Sequence, residues 1–262
     1  MIIRTENNEI IDLSKPICIS IEINFNGEQP NTYGVEIADA EAYRAGEFIG
    51  DVREGGSCNF EKYKIIPHCN GTHTECIGHI TKERIYVNDI FDNIFFKAEL
   101  ITVNPVIYSE EIKETYQPKI DEGDLLITSE MIPEVISGDA LIVRTKPNDE
   151  SKKVRRYEET GFPYFTNEAM EKINKSGIKH LLVDMPSIDR MYDGGKLSNH
   201  HIYWGLKKGD EVGKNYSKKT ISEMVFADDF IKNGVYMCCI QIPDWKGDAS
   251  PSRIFLYEII KQ

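Results

Sequence analysis

The sequence predicts one mixed α/β domain that comprises residues 1–262. Three observations indicate this class: strand-like segments rich in Ile, Val and Tyr dominate the first third, an amphipathic helix followed by an apolar run lies in the middle, and two more strand-like runs occur near the end. A chain of 262 residues can bury a full core, and one domain of this size is ordinary.

The first predicted elements are mostly strands. Residues 17–25 and 82–90 combine β-branched and aromatic residues with partial alternation, which predicts two strands. Residues 95–107 predict a third strand that ends near Pro105, because proline cannot donate a hydrogen bond to a neighbouring strand. Residues 128–145 predict a short helix, a turn and an apolar strand.

The middle of the chain has the clearest α/β pattern. Thr166 is a suitable N-cap for a helix that ends near Gly177, and apolar residues recur between them at helical spacing. Residues 180–185 then predict a buried strand. Ligands often bind beyond the carboxyl ends of such strands.

The last block predicts one more helix and two strands. Residues 219–234 predict the helix, and the apolar runs 235–242 and 253–260 predict the strands. Lysines and glycines crowd residues 207–219, which indicates an exposed loop or an insertion.

Charge and composition exclude several classes of protein. The net charge of −12 argues against a nucleic-acid binder, because phosphate contacts need clustered Lys and Arg. No stretch approaches the roughly 18 apolar residues that span a bilayer, and the polar N-terminus predicts neither a signal peptide nor a membrane anchor. Six cysteines without paired spacing favour reduced thiols, so we expect a cytoplasmic protein.

One segment carries the densest group of possible metal ligands. Four of them occupy odd positions: Cys69, His73, Glu75 and His79. Alternate side chains of an extended chain share one face, but a straight strand would spread residues 69 and 79 over roughly 33 Å. The chain must therefore bend to form one site, and Gly71 and Gly78 permit a bend. A thiolate, an imidazole and a carboxylate suit zinc; the alternative is a polar loop with surface histidines.

The same segment resembles the motif His-x-Gly-Thr-His-x-Asp-x-Pro-x-His of the cyclase/kynurenine formamidase-like family. Residues 69–79 contain the Gly-Thr-His core and the final histidine. Cys69 replaces the first histidine, Glu75 replaces the aspartate and Ile77 replaces the proline. Further segments resemble family elements in the same order: 11–14, 127–145, 162–189, 200–205 and 221–225. The resemblance thus covers nearly the whole chain.

This resemblance implies a swivelling β/β/α-type architecture with a barrel-like mixed sheet core and flanking helices. It also implies a homo-oligomer, a dimer or a tetramer. It assigns metal ligation to five residues: Cys69, His73, Glu75, His200 and Glu223. Glu75 would bridge to a second ion, and His79 would be the general acid/base. Two alternatives stay open, because His68 can replace Cys69 as a ligand and the adjacent His201 can replace His200.

The chemistry implied by the family is hydrolysis of a small-molecule substrate. A divalent metal, zinc or else manganese, bound as one or two ions, lowers the pKa of its water to about 7. His79 would exchange protons with this water and with the leaving group. We expect a small amide of the aryl formamide type, or an ester, as substrate. The alternatives are another reaction on the same scaffold (lactone hydrolysis, cyclisation or dehydration) and a non-catalytic protein that binds a ligand or a metal.

Overall fold

A computed structural model describes residues 1–5, 7–112 and 114–261. Within these ranges the α-helices are short: α1 (Pro67–Asn70), α2 (Tyr157–Thr160), α3 (Asn167–Lys175) and α4 (Ser198–Trp204). Single 3-10 turns occur at Val52–Glu54, Ile77–Ile80, Val87–Asp89, Ser129–Met131 and Glu150–Lys153. None of the helices in the described ranges has the length and apolar character needed to cross a membrane.

Strands make up most of the regular structure. In chain order they are β1 (Ile2–Arg4), β2 (Glu9–Asp12), β3 (Ile17–Cys18), β4 (Asp39–Ala42), β5 (Arg44–Ala45), β6 (Phe48–Ile49), β7 (Glu61–Lys64), β8 (His73–Cys76), β9 (Phe95–Val103), β10 (Val106–Ile107), β11 (Leu125–Ile127), β12 (Ala140–Thr145), β13 (Tyr164–Phe165), β14 (His180–Val183), β15 (Thr220–Glu223), β16 (Gly234–Gln241), β17 (Ala249–Pro251) and β18 (Arg253–Lys261).

One mixed sheet of 11 strands organises the fold. Its order is β1-β2-β18-β16-β9-β12-β14-β15-β8-β17, and β3 pairs with β18. The central strands β9, β12, β14 and β15 are parallel, whereas β16 and β8 run antiparallel on either side of them. Three small sheets, β10-β11-β13, β4-β7 and β5-β6, lie outside it. This arrangement confirms the predicted mixed α/β class.

The two faces of the central strands bury different sets of side chains. Leu141 and Val143 of β12 join Met170 and Ile173 of α3 in one apolar cluster. Ile142, which points to the opposite face, joins side chains of β9, β14, β16 and β18 in a second cluster. These strands are neighbours in the sheet, so the second cluster is one continuous apolar layer on this face. The edge strands β1 and β17 are not paired with each other in the described residues.

Several predicted elements are confirmed. The strand predicted at 95–107 forms β9 and β10, and the two apolar runs near the end form β16 and β18. The predicted helix forms α3, and the hydroxyl of its N-cap Thr166 accepts a hydrogen bond from the backbone N–H of Ala169 at 3.1 Å. The predicted strands after residues 138 and 179 form β12 and β14.

The helix predicted at 219–234 is wrong. Residues Thr220–Glu223 form β15 instead, which pairs with β14 on one side and with β8 on the other. All four residues are buried, so neither face of the strand is exposed to solvent. The sequence therefore lacks the alternation of apolar and polar residues that identifies a half-buried strand. Ile221, Met224 and Val225 lie at helical spacing only because a buried strand is followed by a buried loop.

Three shorter predictions also need correction. Residues 82–90 form a loop with a 3-10 turn rather than a strand, and their apolar side chains Ile85 and Val87 pack into the core from that loop. Only Ile17–Cys18 of the strand predicted at 17–25 is regular, because Ser20 makes an isolated bridge to Val225 instead of extending the ladder. The helix predicted at the start of 128–145 is a single 3-10 turn.

Candidate metal centre

Two antiparallel strands place a histidine opposite a glutamate. His73 begins β8, Glu223 ends β15, and the register pairs the two residues directly. Nε2 of His73 lies 3.3 Å from Oε2 of Glu223, and both side chains are buried. Thr74, the next residue of β8, contacts Ser222 instead, with 2.7 Å between their hydroxyl oxygens. The site therefore lies at the carboxyl end of the buried strand β15. It is on the face of β8 that His73 shares with Glu75.

Glu75 lies at the centre of the site. It belongs to two groups of possible metal ligands, and within each group the ligand atoms lie within 4.8 Å of one another. The inner group is buried and consists of His73, Glu75 and Glu223; the outer group consists of His68, Glu75 and His79. Oε2 of Glu75 is 3.1 Å from Nδ1 of His68 and 3.7 Å from Nδ1 of His79. One carboxylate thus serves both groups.

Asp248 lies beside the outer group, at the end of the loop that leads into β17. It directly precedes β17, which pairs with β8. Its Oδ2 lies 3.0 Å from Nε2 of His68 and 3.5 Å from Nδ1 of His79. The side chains of both histidines are 27% exposed, so solvent reaches the outer group, whereas the inner group is enclosed.

His200 contacts the site from α4. Its Nε2 lies 3.0 Å from Oε1 of Glu75 and 3.9 Å from Oε1 of Glu223. Its Nδ1 lies 2.5 Å from Oδ2 of Asp189, which also accepts hydrogen bonds from the backbone N–H groups of Asn199 and His200. Asp189 therefore satisfies free N–H groups in the first turn of the helix and orients the imidazole at the same time.

Burial and charge shift the pKa values of these groups. Burial opposes ionisation of Glu75, yet the neighbouring His79, His200 and His68 lower the pKa of its carboxyl well below the ordinary value. Burial also opposes protonation of His68 and His200, but the adjacent carboxylates outweigh it. The pKa of His68 rises to about 10 and that of His200 rises well above 6.5. Without a metal, the site holds imidazolium groups beside carboxylates.

Two unpartnered atoms indicate that a cation fits this site. Among the described residues, Nε2 of His73 and Oε2 of Glu75 are buried and lack a hydrogen-bond partner. Their nearest neighbours are the carboxylate of Glu223, 3.3 Å from His73, and the imidazole of His68, 3.1 Å from Glu75, and both contacts have ion-pair distances without hydrogen-bond alignment. A divalent cation can take the place of the proton at such a contact. Imidazole nitrogen and carboxylate oxygen are ligands of zinc and manganese, so the residues fit a divalent metal.

The structure brings most of the predicted site residues together: His73, Glu75, His79, His200 and Glu223. Cys69 belongs to neither group of ligand atoms, although its side chain is buried, because consecutive residues of the one-turn helix α1 point about 100° apart and it is His68 that faces Glu75. Burial and the nearby Glu223 raise the pKa of the Cys69 thiol to about 11. The assignment of Cys69 as a ligand stays a prediction. His201 points elsewhere and donates from Nδ1 to the carbonyl oxygen of Leu206 at 2.5 Å.

The sequence did not predict a role for Asp248. It lies in a polar loop between β16 and β17, and no motif surrounds it. Only the pairing of β17 with β8 brings it next to Glu75, and that pairing joins segments more than 170 residues apart. No local pattern could have identified it.

Comparison with known families identifies the class of protein. The model of the Cyclase family, described as a putative cyclase, matches residues 11–190, well over half of the chain. The chain therefore belongs to the Cyclase family. The matched range contains His73, Glu75 and His79 of the motif. His200, Glu223 and Asp248 lie beyond it. No curated protein matches the sequence.

Solved structures show the same fold. A potential metal-dependent hydrolase with cyclase activity has a TM-score of 0.59 and 17% identity, with 93% of this chain and 98% of the other covered. A predicted metal-dependent hydrolase from Bacillus stearothermophilus has a TM-score of 0.58 and 16% identity, with the same coverage. Isatin hydrolase A from Labrenzia aggregata, bound to benzyl benzoate, has a TM-score of 0.57 and 14% identity, with 93% of each chain covered. Identities this low establish the fold alone.

Proposed function

We propose that this protein is a metal-dependent hydrolase that cleaves a small amide, of the aryl formamide type, or an ester. The observation that carries the proposal is the buried Glu75 carboxylate, which is shared by two groups of possible ligands and whose Oε2 faces two histidines without an aligned hydrogen bond. Membership in the Cyclase family and the likeness to structures described as metal-dependent hydrolases support the same class.

The inner group is the better-defined metal site. His73, Glu75 and Glu223 would hold one divalent ion, and their nitrogen and oxygen ligands suit zinc or manganese. In an arrangement with two ions, the outer group, with His68 and His79, would hold the second. When bound, a divalent metal acidifies water to a pKa of about 7 and polarises the carbonyl of a substrate. His200 contacts Oε1 of Glu75, while Oε2 faces His68 and His79.

His79 is the proposed general acid/base. Its Nδ1 faces the carboxylates of Asp248 and Glu75, at 3.5 Å and 3.7 Å. An imidazole whose Nδ1–H is held by a carboxylate offers Nε2 as a proton acceptor. His79 would take a proton from the attacking water and deliver it to the leaving nitrogen or oxygen. Such assistance typically accelerates a reaction about 10²- to 10⁴-fold.

The number of bound ions decides whether His79 can play this part. One ion in the inner group leaves the His79 ring free for proton transfer, whereas a second ion in the outer group recruits it as a ligand. The outer group is partly exposed, and the neighbouring Asp248 already contacts His68 and His79. The proposed acid/base role therefore corresponds to the arrangement with one ion.

The test is turnover of formanilide and 4-nitrophenyl acetate by protein treated with a chelator and then reloaded with zinc or manganese. We expect activity to disappear with the chelator and to return with the metal. His79→Asn should lower kcat/KM about 10²- to 10⁴-fold and keep the ion of the inner group. His201→Asn is the matched control, because that side chain contacts Leu206 and not the site. A reloaded protein that cleaves no amide or ester would contradict the proposal and favour a non-catalytic binding protein.

Ring opening of a lactone or a cyclic amide is the second candidate. It is supported by the likeness to a protein described as isatin hydrolase A. The same proton transfer by His79 would serve a cyclic carbonyl. Adding isatin and a small lactone to the screen separates the two candidates, because a marked preference for the cyclic compounds over formanilide would favour ring opening.

A further inference from the structure

A cleft of about 380 Å³ opens beside the outer group. His79 and Asp248 form part of its lining, so it reaches the residues that face the proposed reaction. Its other charged lining residues are Lys82, Glu83, Arg84 and Lys246. Pockets that bind small molecules commonly measure about 300–1,000 Å³. The cleft is therefore large enough for part of a small substrate.

The three cations of the cleft have no acidic partner. Neither Lys82, Arg84 nor Lys246 forms an ion pair with any carboxylate of the described residues. Asp248 does not neutralise them, because its carboxylate is held by His68 at 3.0 Å. Glu83 is the remaining acidic lining residue, so positive charge is in excess in the cleft.

Two chain segments carry these cations, and backbone hydrogen bonds tie the segments together, while the three cationic side chains are exposed. The segment with Lys82 and Arg84 is tied to the segment with Lys246 by a backbone hydrogen bond from Val87 to Gly247, at 2.8 Å. A second bond, from Cys76 N to Asp248 O at 3.0 Å, fixes the other end. Nζ of Lys246 lies 5.8 Å from the ring centre of Tyr86, another residue of the cleft. The tied segments therefore keep the backbone of the three cations at one cleft, and a ligand that binds there orders the exposed side chains.

The local charge is opposite to that of the whole protein. The chain has a net charge of −12, which repels small anions from most of the surface. Exposed charges farther away than about 8 Å are largely screened at physiological salt. The potential that a ligand meets beside His79 therefore depends on the charges of the cleft itself, which are the three cations and the carboxylates of Glu83 and Asp248.

We infer that the substrate is an anion, a small amide or ester that carries a carboxylate, and that Lys82, Arg84 and Lys246 bind this carboxylate while the scissile group lies at His79. The inference rests on the proposed hydrolase function and names its substrate class. A guanidinium suits the planar carboxylate because it donates two parallel hydrogen bonds, and the two ammonium groups add charge. Glu83 disfavours a second acidic group at the same place.

A matched pair of substrates tests this directly. The reloaded protein is assayed with 3-formamidobenzoate and with its neutral analogue 3-formamidobenzamide. We expect kcat/KM to be about tenfold to a hundredfold higher for the anion. The triple variant Lys82→Gln, Arg84→Gln, Lys246→Gln should lose this preference and keep its rate on the neutral analogue. The control is Lys196→Gln, Lys214→Gln, Lys232→Gln, which removes the same charge from exposed positions outside the cleft and should keep the preference.

The outcomes separate this inference from the proposed function. Equal kcat/KM values for the two compounds in the wild type, or a triple variant that slows both alike, overturn the inference while the hydrolase stands. If neither compound is cleaved, benzoate binding to chelator-treated protein is measured by calorimetry. Benzoate that binds the wild type and the control about tenfold more tightly than the triple variant supports the anion site without the hydrolase. Absence of benzoate binding, or equal binding by all three, overturns the inference.

Discussion

Nε2 of His200 lies 3.0 Å from Oε1 of Glu75, although 125 residues separate them in the chain. The contact joins α4 to β8, and it orients a carboxylate that both ligand groups share. The other oxygen of Glu75 then faces His68 and His79. The geometry of the whole site thus depends on one buried histidine, which is itself held by Asp189 at 2.5 Å.

Asp189→Asn should weaken the site without removing any ligand atom. An amide cannot accept the Nδ1–H of His200 as strongly as a carboxylate, so the ring is less firmly oriented. We expect zinc affinity, measured by competition with a chromophoric chelator, to fall about tenfold to a hundredfold. The control Tyr116→Phe removes a different hydrogen bond of Asp189, of 2.6 Å, and should change the affinity little. Equal affinities in Asp189→Asn and wild type would show that His200 does not depend on Asp189.

His68→Ala and Cys69→Ala distinguish two possible ligands on one helical turn. His68 belongs to the outer group, whereas Cys69 belongs to neither. Titration with two equivalents of zinc should show that His68→Ala weakens the second equivalent about tenfold or more, and that Cys69→Ala changes it less. The reverse result would support the ligand that the family motif assigns and would contradict the geometry of α1.

His180 should make the stability of the protein depend on pH. Burial lowers the pKa of its imidazole to about 4, with Asp139 and Lys179 as the charged groups that act on it. The ring stacks on Phe96 at 4.0 Å and contacts the hydroxyl of Thr220. The pKa of His180 in the folded protein lies below its unfolded value of about 6.5, so the unfolded chain gains a proton first as the pH falls. The stability that the neutral, buried imidazole provides is therefore complete above pH 6.5 and is lost as the pH falls towards 4.

The expected size of this effect is about 3 kcal/mol. Urea unfolding at a series of pH values should show the loss in the wild type. His180→Phe keeps the stacking but has no proton to gain, so its stability should fall less steeply between pH 6.5 and 4. Parallel curves for the two proteins would show that His180 does not titrate in this way.

Gly78→Ala should destabilise the protein because its neighbours leave no room for a methyl group. A Cβ there would lie 2.1 Å from the carbonyl oxygen of Ile85 and 3.2 Å from Cβ of Asp248. We expect the free energy of unfolding to fall by about 1–3 kcal/mol. Gly213→Ala is the control, since no heavy atom lies within 4 Å of the added carbon. If Gly78→Ala is as stable as the control, Gly78 does not pack against Ile85 and Asp248 as closely as described.

The motif predicted much of the site because its residues lie on one short strand. His73 and Glu75 share a face of β8, and at Gly78 the chain passes so close to Ile85 that no side chain would fit. Of the two adjacent histidines, it is His200 that contacts Glu75. The role of His68 was harder to predict, because the direction of adjacent residues in a single helical turn depends on where the turn begins.

The remaining features depend on tertiary structure. Asp248 reaches the site only through strand pairing, and the buried strand Thr220–Glu223 resembles a helix in sequence because both of its faces are covered. Helix α4 was not predicted, since Leu197 is a poor N-cap and the distant Asp189 supplies the capping interaction. The single domain, the homo-oligomer and the cytoplasmic location stay predictions.

The metal content of the purified protein tests the central claim most directly. Inductively coupled plasma mass spectrometry is applied to wild type, Glu75→Gln and the exposed control Glu83→Gln, all purified without a metal-affinity resin. Because Glu75 belongs to both ligand groups, we expect about one or two equivalents of zinc or manganese in the wild type and the control, and less than about a tenth of that in Glu75→Gln. A wild type that contains no metal and takes up none when it is added, or a Glu75→Gln variant with the full content, would contradict the account.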